Sequence, residues 1–452
     1  MLHFYDIHSY WDLIIGPLYF VIFFIFAHNF IIRFEEDPKL RRLIRLSFLL
    51  KNIISLAFIT FFWIKYGYLM DTGGYYLVTK KIATLINTEE HISFTDIFFR
   101  PVNFNSALDT ENVWSDSTAT FPFLILPFWY MAFSSFFGMM FLLNTFVFIA
   151  SCYLHKTLKT ILPAYKEQSV YAIFMLPTVI LWASGMYKDT LAYTSLCMVI
   201  YCTFRIFITH TFKLKHWLIL LIAAWLISIT KSHVMIVFAF LGFWVIGSNT
   251  KWFTLGLKII IYSLSIAILL VVFDYALGSL EKSQLDIARF SDLKKLTGVI
   301  KGYNQFFKSD TNLAGSSYDI GTFEPSFKGI VRLLPAGFVV TFYRPFIWET
   351  RNPVLMLNLV ESMILLLMTL NVLFKLRIKI FTIITGNSFL LFCFLYTFFL
   401  GAMIGITSFN FGSLARYKTP VMPFFAFLIF VLYSKAKEIK KKRNPPLKTA
   451  NE

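Results

Sequence analysis

Charged side chains lie at the ends of long apolar stretches in five separate parts of the sequence. The first is Asp71, in YGYLMDTGGYY, and the second is the pair Lys188 and Asp189, in SGMYKDTLAY. The other three segments are SITKSHVMI, FYRPFIWE and ARYKTP, and they contain Lys231 and His233, Arg344 and Glu349, and Arg416 and Lys418. Ionisable groups in or near apolar stretches of this length are costly and usually serve a site or a pathway. The sequence therefore predicts a site to which distant segments contribute.

The residue types in these segments suit chemistry on a phosphate-linked substrate. A carboxylate can act as general base or hold a divalent cation such as Mg²⁺ or Mn²⁺. Arginine and lysine suit phosphate, and arginine offers a bidentate fork. We expect Asp71 to be the base that activates an acceptor hydroxyl, and Asp189 to orient the acceptor or share a cation. The expected phosphate ligands are Lys188, Lys231, Arg344 and Arg416, with His233 and Glu349 as further candidates.

Each of these residues also has a purely structural interpretation when it is taken alone. Asp71 fits a turn or a helix cap before Gly73, and Lys188–Asp189 fits the start of a helix. Lys231 and His233 fit a solvated turn between two spans. Arg344 and Glu349 fit an ion pair at the membrane interface, and Arg416 fits a residue that contacts lipid headgroups. The functional interpretation depends on their joint placement.

The composition places the chain in a membrane. Hydrophobic residues make up 57% of the 452 residues and charged residues only 15%, and the mean hydropathy is +0.66. A soluble chain carries nearer a quarter of charged residues. The net charge of +17 is therefore interpreted as the cytoplasmic excess of Lys and Arg in a polytopic protein, and no nucleic-acid partner is expected.

Apolar runs long enough to cross hydrocarbon as helices recur along the chain. They predict an all-α, polytopic transmembrane bundle, a single transmembrane domain of about eleven spans. The predicted spans are 11–32, 46–64, 133–155, 170–184, 188–208, 216–230, 232–248, 253–276, 354–374, 380–406 and 420–434. Two further segments are ambiguous: 121–130 fits an interfacial helix or the start of a span, and 329–348 fits an interfacial or re-entrant element, or a span.

The distribution of Lys and Arg predicts the orientation of these spans. With both ambiguous segments outside, the excess positive charge falls on the inner side, so we expect the amino terminus outside and the basic tail, 435–452, in the cytoplasm. Two long outer loops, 65–120 and 277–353, then carry short helices and are the expected location of function. The tail is expected to contact membrane lipids.

Several of these segments resemble the GT-C superfamily of membrane glycosyltransferases, which includes protein O-mannosyltransferases and aminoarabinose transferases. Asp71 and Tyr75 resemble the family's acidic motif in the first outer loop, and Asp189 resembles its second acid. The segments 176–189, 342–349 and 415–424 are similar to those of bacterial membrane proteins from surface-polysaccharide gene sets. The resemblance implies a bacterial inner-membrane enzyme with Asp71 and Asp189 as catalytic residues and Tyr75 in the substrate site.

These observations lead to one expected function and leave three alternatives open: a polymerase, a transporter or flippase, and a non-enzymatic membrane scaffold whose outer charges only contact lipid headgroups. The expected function is transfer of a sugar from a polyprenyl-phosphate-linked donor to an envelope glycan, lipid or protein acceptor at the periplasmic face. An O-antigen-type polymerase is the nearest alternative, although the loop 277–330 contains a single arginine, Arg289. A transporter or flippase for lipid-linked oligosaccharides would require ionisable groups near the midplane, for which Asp274 and Glu361 are the main acids in or at the end of a predicted span.

Overall fold

The computed structural model describes residues 12–66, 70–88, 116–249, 317–320, 327–349, 353–408 and 410–443. The chain is helical throughout most of these ranges. Its α-helices are α1 (Asp12–Phe34), α2 (Pro38–Tyr66), α3 (Met70–Thr88), α4 (Asp116–Met131), α5 (Phe136–Ile161), α6 (Lys166–Phe174), α7 (Pro177–Trp182), α8 (Lys188–Thr203), α9 (Leu214–Asn249), α10 (Phe327–Tyr343), α11 (Pro353–Leu376), α12 (Lys379–Thr385), α13 (Ser388–Thr407), α14 (Phe411–Tyr417) and α15 (Met422–Arg443).

Seven of the described helices are long and apolar enough to cross a membrane, and an eighth span results if the bent pair α14–α15 is counted as one. The seven lie in α1, α2, α5, α8, α9, α11 and α13. Helix α1 shows how such a helix meets lipid, because Ile14, Leu18, Val21 and Ile25 on its surface are all more than half exposed. The predicted class, an all-α polytopic membrane bundle, is confirmed.

Some predicted spans are divided differently in the structure. The predicted span 170–184 is two short helices, α6 and α7, because Pro177 lacks an N–H donor and restricts the residue before it. The predicted span 380–406 is α12 followed by α13, and Asn387 caps α13 by accepting from Phe389 N and Leu390 N at 3.0 Å each. The predicted span 253–276 lies outside the described residues.

Helix α9 contains both predicted spans 216–230 and 232–248. The tight turn expected between them is a single non-helical residue, Lys231, with φ −149° and ψ 72°. The helical hydrogen bonding resumes after Lys231 because SHVMIVFAF contains neither proline nor glycine to stop it. The segments expected to be interfacial are also helical: Thr120–Met131 in α4 and Val331–Tyr343 in α10 are apolar but shorter than eighteen residues.

The described residues form two compact units. The first unit contains the described residues up to 157, with α1 to α4 and most of α5. It also contains residues 179–236, with most of α7, all of α8 and the first part of α9. The second unit contains residues 158–178, the rest of α9 and the described residues from 317 onward, with α10 to α15.

Helices α10 and α13 pack in very close contact in the second unit. A methyl group added at Gly337 would meet the carbonyl oxygen of Ala402, and one added at Gly405 would meet the carbonyl oxygen of Gly337. Thr341 Oγ1 donates across this contact to the carbonyl oxygen of Gly401 at 2.7 Å. Small residues four apart, here Gly401 and Gly405, allow backbones of membrane helices to approach in this way.

This contact predicts that Gly405→Ala lowers stability by about 1–3 kcal/mol, because the new methyl would press on backbone that cannot move aside. The measurement is the apparent melting temperature of the purified protein in detergent. Gly242→Ala in α9 is the matched control, because its added methyl would meet only the ring of Phe238 at 3.5 Å or more. Equal melting temperatures for the two variants would contradict the close packing.

Candidate functional site

An ion pair between Asp189 and Lys231 lies in the interior of the first unit. Lys231 Nζ donates to Asp189 Oδ1, and the side chains of Lys231 and Asp189 are 6% and 0% exposed. Both residues were predicted site residues, and they come from segments that are far apart in the chain. The structure therefore brings together one of the two predicted catalytic acids and one of the predicted phosphate ligands.

Each member of this pair is placed by a helix end or a helix break. Asp189 lies in the first turn of α8, where a carboxylate interacts favourably with the positive end of the helix dipole. Lys231 is the non-helical residue of α9. Removing two charges from water is expensive unless they are well paired, so a pair at this depth in an apolar bundle is a candidate functional feature.

The turn between α7 and α8 positions Asp189, and polar side chains from two other helices hold that turn. Lys51 of α2 donates to the carbonyl oxygens of Val179 and Ala183 at 3.1 and 2.6 Å. Asn144 of α5 accepts from the backbone N–H of Gly185 at 2.6 Å. Gly185 has φ +72°, a left-handed conformation that favours glycine.

Asp71 and Tyr75 lie in the first two turns of α3 and differ in environment. Asp71 is exposed, whereas Tyr75 is 3% exposed and its ring packs edge-on against Phe121 with centroids 4.7 Å apart. The neighbouring Tyr76 donates its hydroxyl to the carbonyl oxygen of Ser134. Asp71 thus lies at the surface of the unit, while Tyr75 contributes to the packing of α3.

A single apolar cluster in the first unit connects these features. It contains Tyr75 and Tyr76 of α3 together with Met186 and Leu191, which flank Asp189, and Leu226 of α9 packs against it. The helix that begins beside Asp71, the turn that carries Asp189 and the part of α9 that precedes Lys231 therefore share one core.

The other predicted residues of the first unit border the ion pair in sequence. Lys188 precedes Asp189 and is half-buried, and His233 is half-buried two residues after Lys231.

Three predicted residues lie in the second unit. Arg344 and Glu349 form an ion pair in which Arg344 Nε donates to the two carboxylate oxygens at 2.8 and 3.0 Å. The Arg344 guanidinium carbon lies 5.5 Å from the ring centres of both Tyr318 and Phe411. Arg416 is half-buried in the last turn of α14. The structure therefore joins Arg344 to Glu349, its neighbour in the sequence.

Five buried Asp, Glu or Lys residues in the described part of the chain were not among the predicted site residues: Asp12, Glu35, Lys51, Glu361 and Lys418, which are 2%, 1%, 5%, 4% and 0% exposed. Glu361 accepts from the backbone N–H and the hydroxyl of Thr178 at 2.9 and 2.5 Å. Lys418 Nζ donates to Ser362 Oγ at 3.5 Å. The sequence marked three of these residues: Lys51 and Glu361 each interrupt an otherwise apolar run, in SFLLKNII and NLVESMIL, and Lys418 follows Arg416 in ARYKTP.

Within the part of the chain that the structure describes, no group of three or more His, Cys, Asp or Glu side chains is arranged to hold a metal ion. Comparison with protein-family models, with curated proteins and with solved structures gives no match for this chain.

Proposed function

We propose that the protein is a membrane transferase that moves a sugar from a polyprenyl-phosphate-linked donor to an envelope acceptor. One observation supports this proposal most directly: residues that follow exposed Asp71 in α3 and residues on either side of the buried Asp189 belong to the same apolar cluster. An exposed acid and a fixed cation within one membrane-embedded unit are groups that can serve transfer from a lipid-linked phosphate.

The proposed reaction assigns each of these groups a separate role. Asp71 accepts the proton of the acceptor hydroxyl as the hydroxyl oxygen forms a bond to the anomeric carbon. The bond between that carbon and the phosphate oxygen breaks, and polyprenyl phosphate leaves with both bonding electrons. Lys231 and Lys188 stabilise the charge on the departing phosphate. Asp189 acts as a positioning residue, because its carboxylate is bound to Lys231 and is fully buried.

Asp71→Asn tests the proposal. We expect the variant to fold and insert normally but to lose activity by a factor on the order of 10² to 10⁴, because the amide cannot take the proton. The purified protein in nanodiscs is incubated with polyprenyl-phosphate-linked sugars and acceptor glycans, and released polyprenyl phosphate is measured by mass spectrometry.

The matched control is Glu438→Gln, which neutralises an exposed acid on α15 that pairs with Lys435. We expect this variant to release polyprenyl phosphate at the wild-type rate. Full activity in Asp71→Asn would remove this acid from the mechanism. Absence of release by the wild-type protein with every donor tested would remove the transferase proposal.

Transport of a lipid-linked oligosaccharide is a second candidate, and the two helix breaks favour it. Lys231 lies at the break in α9, and Lys418 lies where α14 and α15 meet at 76°. Broken membrane helices with buried ionisable groups are typical of transporter binding sites. Movement of a fluorescent lipid-linked sugar between the leaflets of proteoliposomes, without release of polyprenyl phosphate, would support transport over transfer.

A further inference from the structure

The second unit contains buried polar atoms that lack hydrogen-bond partners within the described residues. They are Oε1 of Glu361 and both amide atoms of Asn358, one turn earlier on α11. Asn358 is 5% exposed and Glu361 is 4% exposed. Nearly all buried polar groups in native proteins are paired, and exceptions often mark a functional or ligand-binding role.

Lys418 and Ser362 complete this group. Lys418 is fully buried, interacts electrostatically with Glu361, and has Ser362 Oγ at 3.5 Å as its hydrogen-bond acceptor. An ammonium group has three hydrogens to donate, so Lys418 has remaining capacity. Asn358, Glu361, Ser362 and Lys418 are called the α11 polar group below.

A continuous set of contacts connects the α11 polar group to the surface. Ser362 Oγ donates to the carbonyl oxygen of Arg344 at 3.3 Å. The side chains of Arg344 and Glu349 are 17% and 15% exposed, and the adjacent Trp348 is 80% exposed. The α11 polar group is thus the buried floor of a candidate site, and the partly exposed Arg344–Glu349 pair is its rim.

The position of the α11 polar group along α11 can be compared with that of the lysine residues near the end of the helix. Lys375, near the end of α11, lies 5.9 Å from the ring centre of Tyr433 on α15, and Lys437 lies 4.6 Å from the same ring. Lysine and tyrosine mark the headgroup level. Ser362 lies about 20 Å from Lys375 along the helix. The α11 polar group therefore lies well away from the lysine-bearing end of α11.

The charges of the floor and the rim select the kind of ligand. In the α11 polar group the charges of Glu361 and Lys418 are opposite, and in the partly exposed pair above it so are those of Arg344 and Glu349. Neither pair therefore favours binding of a free anion or a free cation. The unpaired atoms include both donors and acceptors. A hydroxyl group is both donor and acceptor, and a neutral ligand with several hydroxyl groups can pair with all of them.

We propose that the α11 polar group is a binding site for the uncharged sugar head group of a polyprenyl-phosphate-linked glycan, entered from the Arg344–Glu349 rim. The identity of this ligand rests on the proposed function. The four side chains are buried in this structure, so binding requires the surrounding side chains to move.

Asn358→Leu separates a ligand role from a structural one. If the unpaired amide serves only the fold, an apolar side chain of similar size raises the melting temperature and changes nothing else. If the amide serves a ligand, the same variant raises the melting temperature by a few degrees and loses sugar binding. Asn371→Leu is the matched control, because Asn371 Oδ1 is also buried without a partner on α11, about 20 Å away.

The probes are short-chain prenyl-phosphate monosaccharides, with the same prenyl phosphate lacking the sugar as reference, added to the full protein in nanodiscs. We expect the wild type and Asn371→Leu to gain thermal protection from at least one sugar-bearing probe beyond that from the reference. We expect Asn358→Leu to lose this sugar-dependent protection and Glu361→Gln to bind roughly tenfold more weakly. Absence of sugar-dependent protection in the wild type, or its full retention in Asn358→Leu, would overturn the inference.

The experiments distinguish failure of this inference from failure of the proposed function. The first result is that Asn358→Leu loses the sugar-dependent protection while the wild-type protein never releases polyprenyl phosphate. This result supports the binding site and contradicts the transferase proposal. The second result is that release of polyprenyl phosphate depends on Asp71 while Asn358→Leu keeps its protection by the sugar. This result supports the transferase proposal and contradicts the binding site.

Discussion

Asp189→Leu is expected to destabilise the protein by about 3–5 kcal/mol, one of the two largest losses that the structure predicts. The variant removes the carboxylate that pairs with the buried ammonium of Lys231. A buried charge that loses its partner keeps the full cost of its removal from water. Lys231→Met is expected to have a similar effect, because it leaves a fully buried carboxylate without the ammonium.

The double variant Asp189→Leu/Lys231→Met distinguishes an ion pair from two independent contacts. Replacing both charges with apolar side chains removes the cost of burying them, so we expect the double variant to be more stable than either single one. The measurement is the apparent melting temperature in detergent, with single variants lower by on the order of 10 °C. Losses that simply add would contradict the pairing.

The activity of the double variant separates stability from function. A charge pair that only completes the fold is dispensable once apolar packing replaces it. If Lys231 stabilises a departing phosphate, as proposed, the double variant is folded and inactive. A stable double variant with wild-type release of polyprenyl phosphate would exclude both residues from the mechanism.

The sequence predicts the class of this fold because the length of an apolar run is a local property. Helices α1, α2 and α5 follow from runs that exceed the hydrocarbon thickness without reference to the rest of the chain. The division of predicted spans at Pro177 was also readable, since proline disfavours helix at the preceding residue. The position of the break at Lys231 was also predicted, between the spans 216–230 and 232–248, but its confinement to a single residue was not, because no proline or glycine marks it.

The partners within the site could not be predicted in the same way. Asp189 and Lys231 were each recognisable as costly charges, but their direct pairing depends on how α8 packs beside α9. The unpaired atoms of Asn358 and Glu361 depend on the packing of α11 against α15. Lys51 was visible as a charge within an apolar run, yet its acceptors, Val179 and Ala183, follow only from the tertiary fold.

Asn144→Leu is expected to produce the second large loss, about 2–5 kcal/mol. Asn144 accepts from Gly185 N at 2.6 Å and donates to Asn52 Oδ1 at 3.0 Å. Leucine has nearly the same volume but leaves a buried backbone N–H and a buried amide oxygen without this partner, each at a cost of about 1–3 kcal/mol. Because the 183–187 turn positions Asp189, loss of activity is expected beyond the loss of stability.

Asn87→Leu is the matched control for this variant, since Asn87 is exposed and accepts only a long bond of 3.3 Å from the Tyr130 hydroxyl. We expect a change within about 0.5 kcal/mol there. A melting temperature for Asn144→Leu that equals the control's would show that the turn does not depend on α5. A stability loss with an unchanged rate, measured well below the melting temperature, would show that the turn supports the fold without positioning the Asp189–Lys231 pair for catalysis.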